Sequence, residues 1–325
     1  MQSSPLSPFS IAPVLFKSHA LSRRSFLKHN TRLLLWVAAM GAGLKLPRPV
    51  QAFDAPDIAV ATGDRVAATR AAVDLLGGMR RFVKPGQKVI IKPNMSFAGG
   101  PEDATDTHPD VVRELVALCK EAGAERIRVL DHTLRREERC IEGVQKACEV
   151  HGDDIVQAVS RSRFFKSAAI PEGRQMTETD VMGEVLEADV LIAAPVAKSH
   201  SSSGVSLSMK GMMGLIYNRG IMHSRYDLHE SIVDLASLLK PALVVVDASR
   251  VLSTNGPGGP GRVLKSDTII ASADMVAADA QAVSMFEWYG QKLAPRNVKH
   301  IRIAHERGLG RMDVENLRRK QIKVG

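Results

Sequence analysis

Three short clusters in this 325-residue chain combine ammonium, amide and imidazole side chains in a way that could hold an anion and act on it. The first is Lys92-Pro93-Asn94, whose following loop runs to Thr105-Asp106-Thr107-His108-Pro109. The second is Lys198-Ser199-His200, then a Ser/Gly stretch, then Met209-Lys210-Gly211-Met212-Met213-Gly214. Two lysines and a histidine there flank what reads as a flexible loop opening a helix, an electropositive cradle for a carboxylate or phosphate. The third follows Val244-Val245-Val246-Asp247 and contains Ser253-Thr254-Asn255-Gly256-Pro257-Gly258-Gly259-Pro260-Gly261. Glycines in such a loop let backbone approach a ligand closely, but the terminal Lys-Ser/Thr of a P-loop is missing.

The chemistry these residue types support is specific. Lys92, Asn94, Lys198 and Lys210 would bind the anion, with Asn255 and Gly256 completing the contacts, while His108 or His200 would exchange a proton near neutral pH. Asp247 with a histidine would suit a divalent metal. Each residue also has a plain structural reading: Lys92 can snorkel to the surface and Asn94 can make a turn. His108 can neighbour a helix cap, and the methionines can pack. Ser199 beside His200 raises nucleophilic catalysis, yet no G-x-S-x-G elbow is present, and adjacent residues rarely set a base onto its nucleophile.

Elements that could position these clusters follow from the hydrophobic pattern. Short apolar runs alternate with amphipathic helical stretches, the rhythm of an α/β domain with a mostly parallel sheet and crossover helices. Strands are expected at 57–61, 88–92, 126–130, 190–194, 243–247 and 268–271. Helices are expected at 65–82, 228–239, 275–289 and 298–307, with another opened by Pro109 and closed by Gly123. The polar clusters then fall just after strands, where open α/β sheets bind ligands. The stretch 131–187 is the least regular and is assigned to a small insertion or subdomain.

The N-terminal 52 residues read differently. Ser22-Arg23-Arg24-Ser25-Phe26-Leu27-Lys28, the apolar run to Leu46 and the small-residue exit ending at Ala52 form the pattern of a twin-arginine export signal. Arg23, Arg24, Phe26 and Leu27 are its targeting residues, with cleavage expected after Ala52. The apolar run is shorter than the roughly 20 residues of a spanning helix, so no stable membrane insertion is expected after cleavage. The partner is then the twin-arginine translocation machinery and the destination the periplasm. The chain has 44 Lys plus Arg against 35 Asp plus Glu, but residues 1–52 hold seven of the basic residues and no acid, leaving 37 − 35 = +2 for the rest. Without a basic stripe or zinc-finger spacing, nucleic-acid binding is not expected. The three cysteines, Cys119, Cys140 and Cys148, include no C-x-x-C pair, so neither an iron–sulfur cluster nor a structural zinc is indicated. Cys140 and Cys148 on one helix would stand about 12 Å apart along its axis, too far for a disulfide.

Taken in order, Lys92-Pro93-Asn94, the step from Thr105 to Asp110, Lys198-Ser199-His200, Met209-Lys210-Gly211 with Gly214, Asp247 with Asn255-Gly256-Pro257, and Ala273-Asp274-Met275-Val276-Ala277-Ala278-Asp279 resemble the domain of unknown function 362 family from about Val60 onward. Many members carry a ferredoxin-like module with clustered cysteines, which this chain lacks. The resemblance implies an α/β fold but no reaction. Two functions fit: an exported enzyme acting on a small anionic substrate, or a non-catalytic accessory protein that binds a ligand, metal or partner for an exported redox system.

Overall fold

The computed structural model describes residues 54–325; the expected export signal, including Arg23, Arg24, Phe26, Leu27 and Ala52, lies outside the described residues. The strands are β1 (Ile58–Thr62), β2 (Lys88–Pro93), β3 (Arg126–Asp131), β4 (Val156–Ala158), β5 (Phe165–Ala169), β6 (Glu178–Met182), β7 (Val190–Ala194), β8 (Val196–His200), β9 (Gly204–Ser206), β10 (Leu243–Leu252), β11 (Val263–Ser272), β12 (Glu287–Trp288), β13 (Gln291–Lys292) and β14 (Arg319–Lys323). The helices are α1 (Arg65–Leu75), α2 (Pro109–Ala122), α3 (Glu137–Cys148), α4 (Gly183–Leu186), α5 (Ser208–Gly211), α6 (Ile221–Ser224), α7 (Leu228–Leu238), α8 (Met275–Met285) and α9 (Lys299–Glu306).

One ten-stranded sheet organises the described residues, with β14-β1-β11-β10-β7-β2-β3-β4 as its main path and β8 and β9 branching from β10. The pairs β10–β7, β7–β2, β2–β3 and β3–β4 are parallel, whereas β11 is antiparallel to both β10 and β1. The domain is therefore α/β with a mostly parallel sheet. The central strands β2, β7 and the first half of β10 are apolar at their centres because both faces are covered, and side chains alternate between them. Val89 and Ile91 of β2 pack with α1, α2 and α3, while Ile90 packs in the opposite layer with α7, α8 and α9.

Local sequence accounts for the helix limits. Asp64 caps α1 by accepting from the amides of Val66 and Ala67, and the helix ends at Leu75, short of the expected 82, because Gly77 and Gly78 follow with φ of 105° and 79°. His108 is the N-cap of α2, Pro109 its first residue, and Gly123 its left-handed C-cap at φ 93°. The helix beginning at Met275 stops at Met285, four residues before the expected end, where the chain turns into the β12–β13 hairpin. β10 and β11 are both longer than expected, since they continue as an antiparallel ribbon beyond the parallel body of the sheet. The stretch 131–187 holds α3, β4 and a separate two-stranded sheet of β5 and β6. Cys119, Cys140 and Cys148 are free thiols. Among the described residues no helix is long and apolar enough to cross a membrane.

The strand order places a ligand crevice. From β2 the chain moves outward through β3 to β4, then returns to β7 on the other side of β2 and continues to β10. The direction of winding reverses between β2 and β7, the position at which the strand ends of an open α/β sheet part to form a binding cleft.

Candidate functional site

The carboxyl ends of β2 and β7 are tied together by the polar residues that follow them. Asn94 accepts from the Val196 amide through Oδ1 at 3.0 Å, and Thr107 Oγ1 donates to the Ala194 carbonyl at 2.6 Å while accepting from the Asn94 amide at 2.9 Å. Beside this seam lies a cavity of about 240 Å³ whose wall includes Lys92, Asn94, Lys198, His200, Lys210 and Arg219, with Asp131, Ser206 and His223. The sequence therefore brings five of its candidates, Lys92, Asn94, Lys198, His200 and Lys210, to one place. A larger groove of about 610 Å³ lies by β4, lined by Leu130, Ile141, Phe164 and Met182 among others, and gathers none of the polar clusters.

Each cation is held differently. Lys92, at the end of β2, is buried and stands 3.1 Å from Asp131 Oδ1 at the end of β3; it also donates to the Pro93 carbonyl. The other carboxylate oxygen of Asp131 accepts from the Met95 amide and the Ser96 hydroxyl, both at 2.9 Å. Gly214 makes room for this pair: a Cβ there would sit 2.1 Å from Asp131 Oδ1 and 2.6 Å from Lys92 Cε. Lys198 donates to the Thr105 carbonyl, and its Nζ lies 4.7 Å from the centre of the Phe97 ring. Arg219 donates to the carbonyls of His132 and Thr133 at 2.7 and 2.8 Å. Lys210, only 8% exposed, makes no hydrogen bond or ion pair among the described residues.

Burial governs the charge states. It pulls Lys92 below its ordinary value, opposed by Asp131, and brings Lys198 down to about 8 against the attraction of Asp106. Lys210 falls to about 7 through burial, helped by the positive charges of Lys198 and Arg219 and opposed by no neighbouring carboxylate. His200 is pushed to about 3, by burial first and by Lys210 second. Its Nδ1 accepts from the Ser202 amide at 3.1 Å, which places the ring proton on Nε2 in the neutral form. The ring stacks on His223 with centroids 6.0 Å apart.

The stretch expected as a flexible loop between His200 and Met209 is instead a tight turn and strand β9, which pairs antiparallel with the buried strand β8 that carries Lys198-Ser199-His200; β8 also pairs parallel to β10. Ser199 Oγ is engaged as acceptor of the Gly256 amide at 2.9 Å. The short helix α5 that carries Lys210 is pinned by buried Asp279, which accepts from the Ser208 amide at 2.8 Å, the Ser208 hydroxyl at 2.6 Å and the Met209 amide at 3.0 Å.

His108, Asp247, Asn255 and Gly256 stand outside the cavity wall. The His108 ring caps α2 by accepting from the Asp110 amide at 3.1 Å, with the Arg65 guanidinium against Nε2. Burial and Arg65 hold it neutral, at about 4. Asp247 accepts from the His108 amide at 2.8 Å and from the Ser249 amide and hydroxyl at 3.0 and 2.7 Å. That setting fits a divalent metal poorly, since the chain's own N–H and O–H groups take most of the carboxylate's lone pairs, and among the described residues no three His, Cys, Asp or Glu side chains gather as ligands. Asn255, at φ 54°, donates through Nδ2 to the Pro260 carbonyl. Gly256 packs so closely on β8 that a Cβ would lie 1.9 Å from the Ser199 carbonyl oxygen. Their contribution is to set Pro257 against the cavity. Gly256, Gly258 and Gly261 have the spacing of a dinucleotide fingerprint, but their loop joins β10 to β11 and opens no helix, which that motif requires.

Asp131, Arg219 and His223 were not singled out by sequence. Asp131 ends a legible strand and could have been found by the rule that placed Lys92; Arg219 lies in a turn and His223 on the four-residue helix α6, with no sequence pattern to mark them.

Comparison with known proteins finds several similarities. Thylakoid-associated protein sll1697 of Synechocystis is 27% identical over 233 residues, covering 67% of this chain and 68% of that protein. The lactate racemase apoprotein of Thermoanaerobacterium thermosaccharolyticum superposes with a TM-score of 0.43 at 14% identity, over 74% of this chain. The present chain spans only 59% of that structure's length. The profile described as domain of unknown function (DUF362) matches residues 89–284, a span that contains every residue of the cavity described above. The chain belongs to the domain of unknown function 362 family.

Proposed function

We propose that this protein is an enzyme that acts on a small anionic substrate, a carboxylate or phosphate, bound in the cavity at the β2–β7 crevice. One observation carries the reading. Four basic side chains from separate segments, Lys92, Lys198, Lys210 and Arg219, converge on one cavity whose wall contains a single carboxylate, Asp131. Keeping several basic groups so buried is costly unless an anion offsets them. Arg219 and Lys198 supply charge, Asn94 shapes the wall, and His200 donates from Nε2, the position its backbone contact leaves protonated. The metal at Asp247 and proton transfer by His108 form no part of this reading, because both side chains are occupied by local structure.

The twin-arginine pattern at Arg23-Arg24 with Phe26-Leu27 supports export of the folded domain, residues 53–325, to the periplasm after cleavage at Ala52. Fusing residues 1–52 to a folded reporter and replacing Arg23 and Arg24 with Lys tests that step; equal export of both fusions refutes it.

The site is tested by thermal denaturation and calorimetric titration of the described domain with inorganic phosphate and a panel of small carboxylates. At least one anion should raise the melting temperature, and Arg219→Met should abolish the rise. If no anion shifts the melting temperature, the reading fails. An anion that binds but is never turned over makes the chain a binding or accessory protein instead.

A further inference from the structure

The three lysines of the cavity are not equivalent. Lys92 is engaged by Asp131 and the Pro93 carbonyl, and Lys198 by the Thr105 carbonyl and the Phe97 ring. Lys210 lines the same cavity and is buried, yet its amine has neither a hydrogen-bond acceptor nor a counter-ion among the described residues. The charged groups that act on it, Lys198 and Arg219, are both positive, and its own charge acts unfavourably on His200, His223 and His300. An ammonium in that setting is penalised from every side. A neutral amine is not, and an uncharged lysine beside other cations is the form that attacks carbonyl carbon.

We propose that Lys210 is the nucleophile of this site and condenses with the carbonyl of a small oxo acid whose carboxylate is held by Arg219 and Lys198. The inference rests on the anion-binding reading above and narrows its substrate class to acids that carry an aldehyde or ketone. In the step, Nζ bonds to the carbonyl carbon and the carbonyl oxygen becomes a hydroxyl. The carbon–oxygen bond then breaks, the oxygen leaves as water with the two protons lost from the amine, and a carbon–nitrogen double bond remains. Nothing is oxidised or reduced. His200, with its proton on Nε2 in the same cavity, is the group available to relay a proton to the departing hydroxyl. Asp279 keeps α5 fixed, so the amine is presented from an anchored helix rather than a mobile loop.

The test is reductive trapping. The protein is incubated with pyruvate, glyoxylate or 2-oxoglutarate and sodium borohydride, and the adduct is located by intact-mass and peptide mass spectrometry. One reduced adduct per chain on Lys210 is expected with at least one of the three acids. Lys210→Arg should bring trapping to background, and propionate should protect by occupying the carboxylate subsite. Thermal shift with the same acids and with phosphate is measured in parallel on the wild type, so the outcome does not depend on the variant folding. Stabilisation by these anions without any adduct on Lys210, or with adducts spread over exposed lysines, overturns the inference and leaves the anion site standing. No stabilisation and no adduct removes both.

Discussion

Replacing Lys210 with methionine should make the ligand-free protein more stable. The substitution keeps an unbranched chain of similar length at a buried position and removes the amine. Lowering the lysine from 10.5 to about 7 corresponds to roughly 4–5 kcal/mol against the charged form. Part of that would return as water and neighbouring cations adjust, so an expected gain of about 2 kcal/mol, near 4–8 °C in melting temperature, is the measurable share. The pH dependence gives a second readout. Between pH 7 and 10.5 the unfolded chain keeps a proton on this lysine that the folded chain has released, so wild-type stability should rise with pH across that window. In Lys210→Met that rise should flatten, with the largest gain over wild type below pH 7. Urea denaturation from pH 6 to 9 measures both quantities. A variant less stable than wild type at pH 6, or one with an unchanged pH slope, would refute the account of Lys210 as an uncompensated buried amine.

Further substitutions separate positioning from packing. Gly214→Ala drives a methyl group into the Lys92–Asp131 pair; breaking such a buried pair costs about 3–5 kcal/mol, and the variant should also lose anion-induced stabilisation, whereas retention of both would show that the loop simply yields. His108→Ala removes the α2 cap and should cost about 1 kcal/mol while leaving anion binding intact; altered binding in calorimetry would return His108 to the site. Asp279 is raised from 3.8 to about 7 by burial, so the folded state holds a proton that the unfolded state has lost between those values, and this group should lower stability as pH climbs from 4 to 7. Asp279→Asn should flatten that decline in denaturant titrations, and an unaltered profile would exclude the assignment.

The fold was legible where one physical signal dominated. β7 and the parallel core of β10 are short, wholly apolar runs, and α2 is announced by Pro109 and ended by Gly123. β8 was not expected because three of its residues, Lys198, Ser199 and His200, carry no strand pattern. Long-range pairing with β9 and β10, together with occupants such as the Thr105 carbonyl, makes those polar groups tolerable in the interior. Lys92 and Lys198 could be nominated because they end or follow apolar runs. The division among the lysines could not, since it depends on Asp131 arriving from β3 and on no carboxylate arriving at Lys210. His108 and Asp247 show the converse: residue types suited to chemistry that the tertiary structure spends on capping a helix and on tying one strand to it.

The placement of β1 has a consequence for biogenesis. The strand next to the N-terminal segment is flanked by β11 on one side and β14 on the other, and Arg318 secures its entry through Asp54 and Asp57. Both neighbours leave the ribosome long after β1 does, so this strand stays unpaired throughout most of synthesis and is clamped on both edges only when the final strand docks. The first strand made is thus among the last to be secured, and the fold closes at that edge only once β14 is in place.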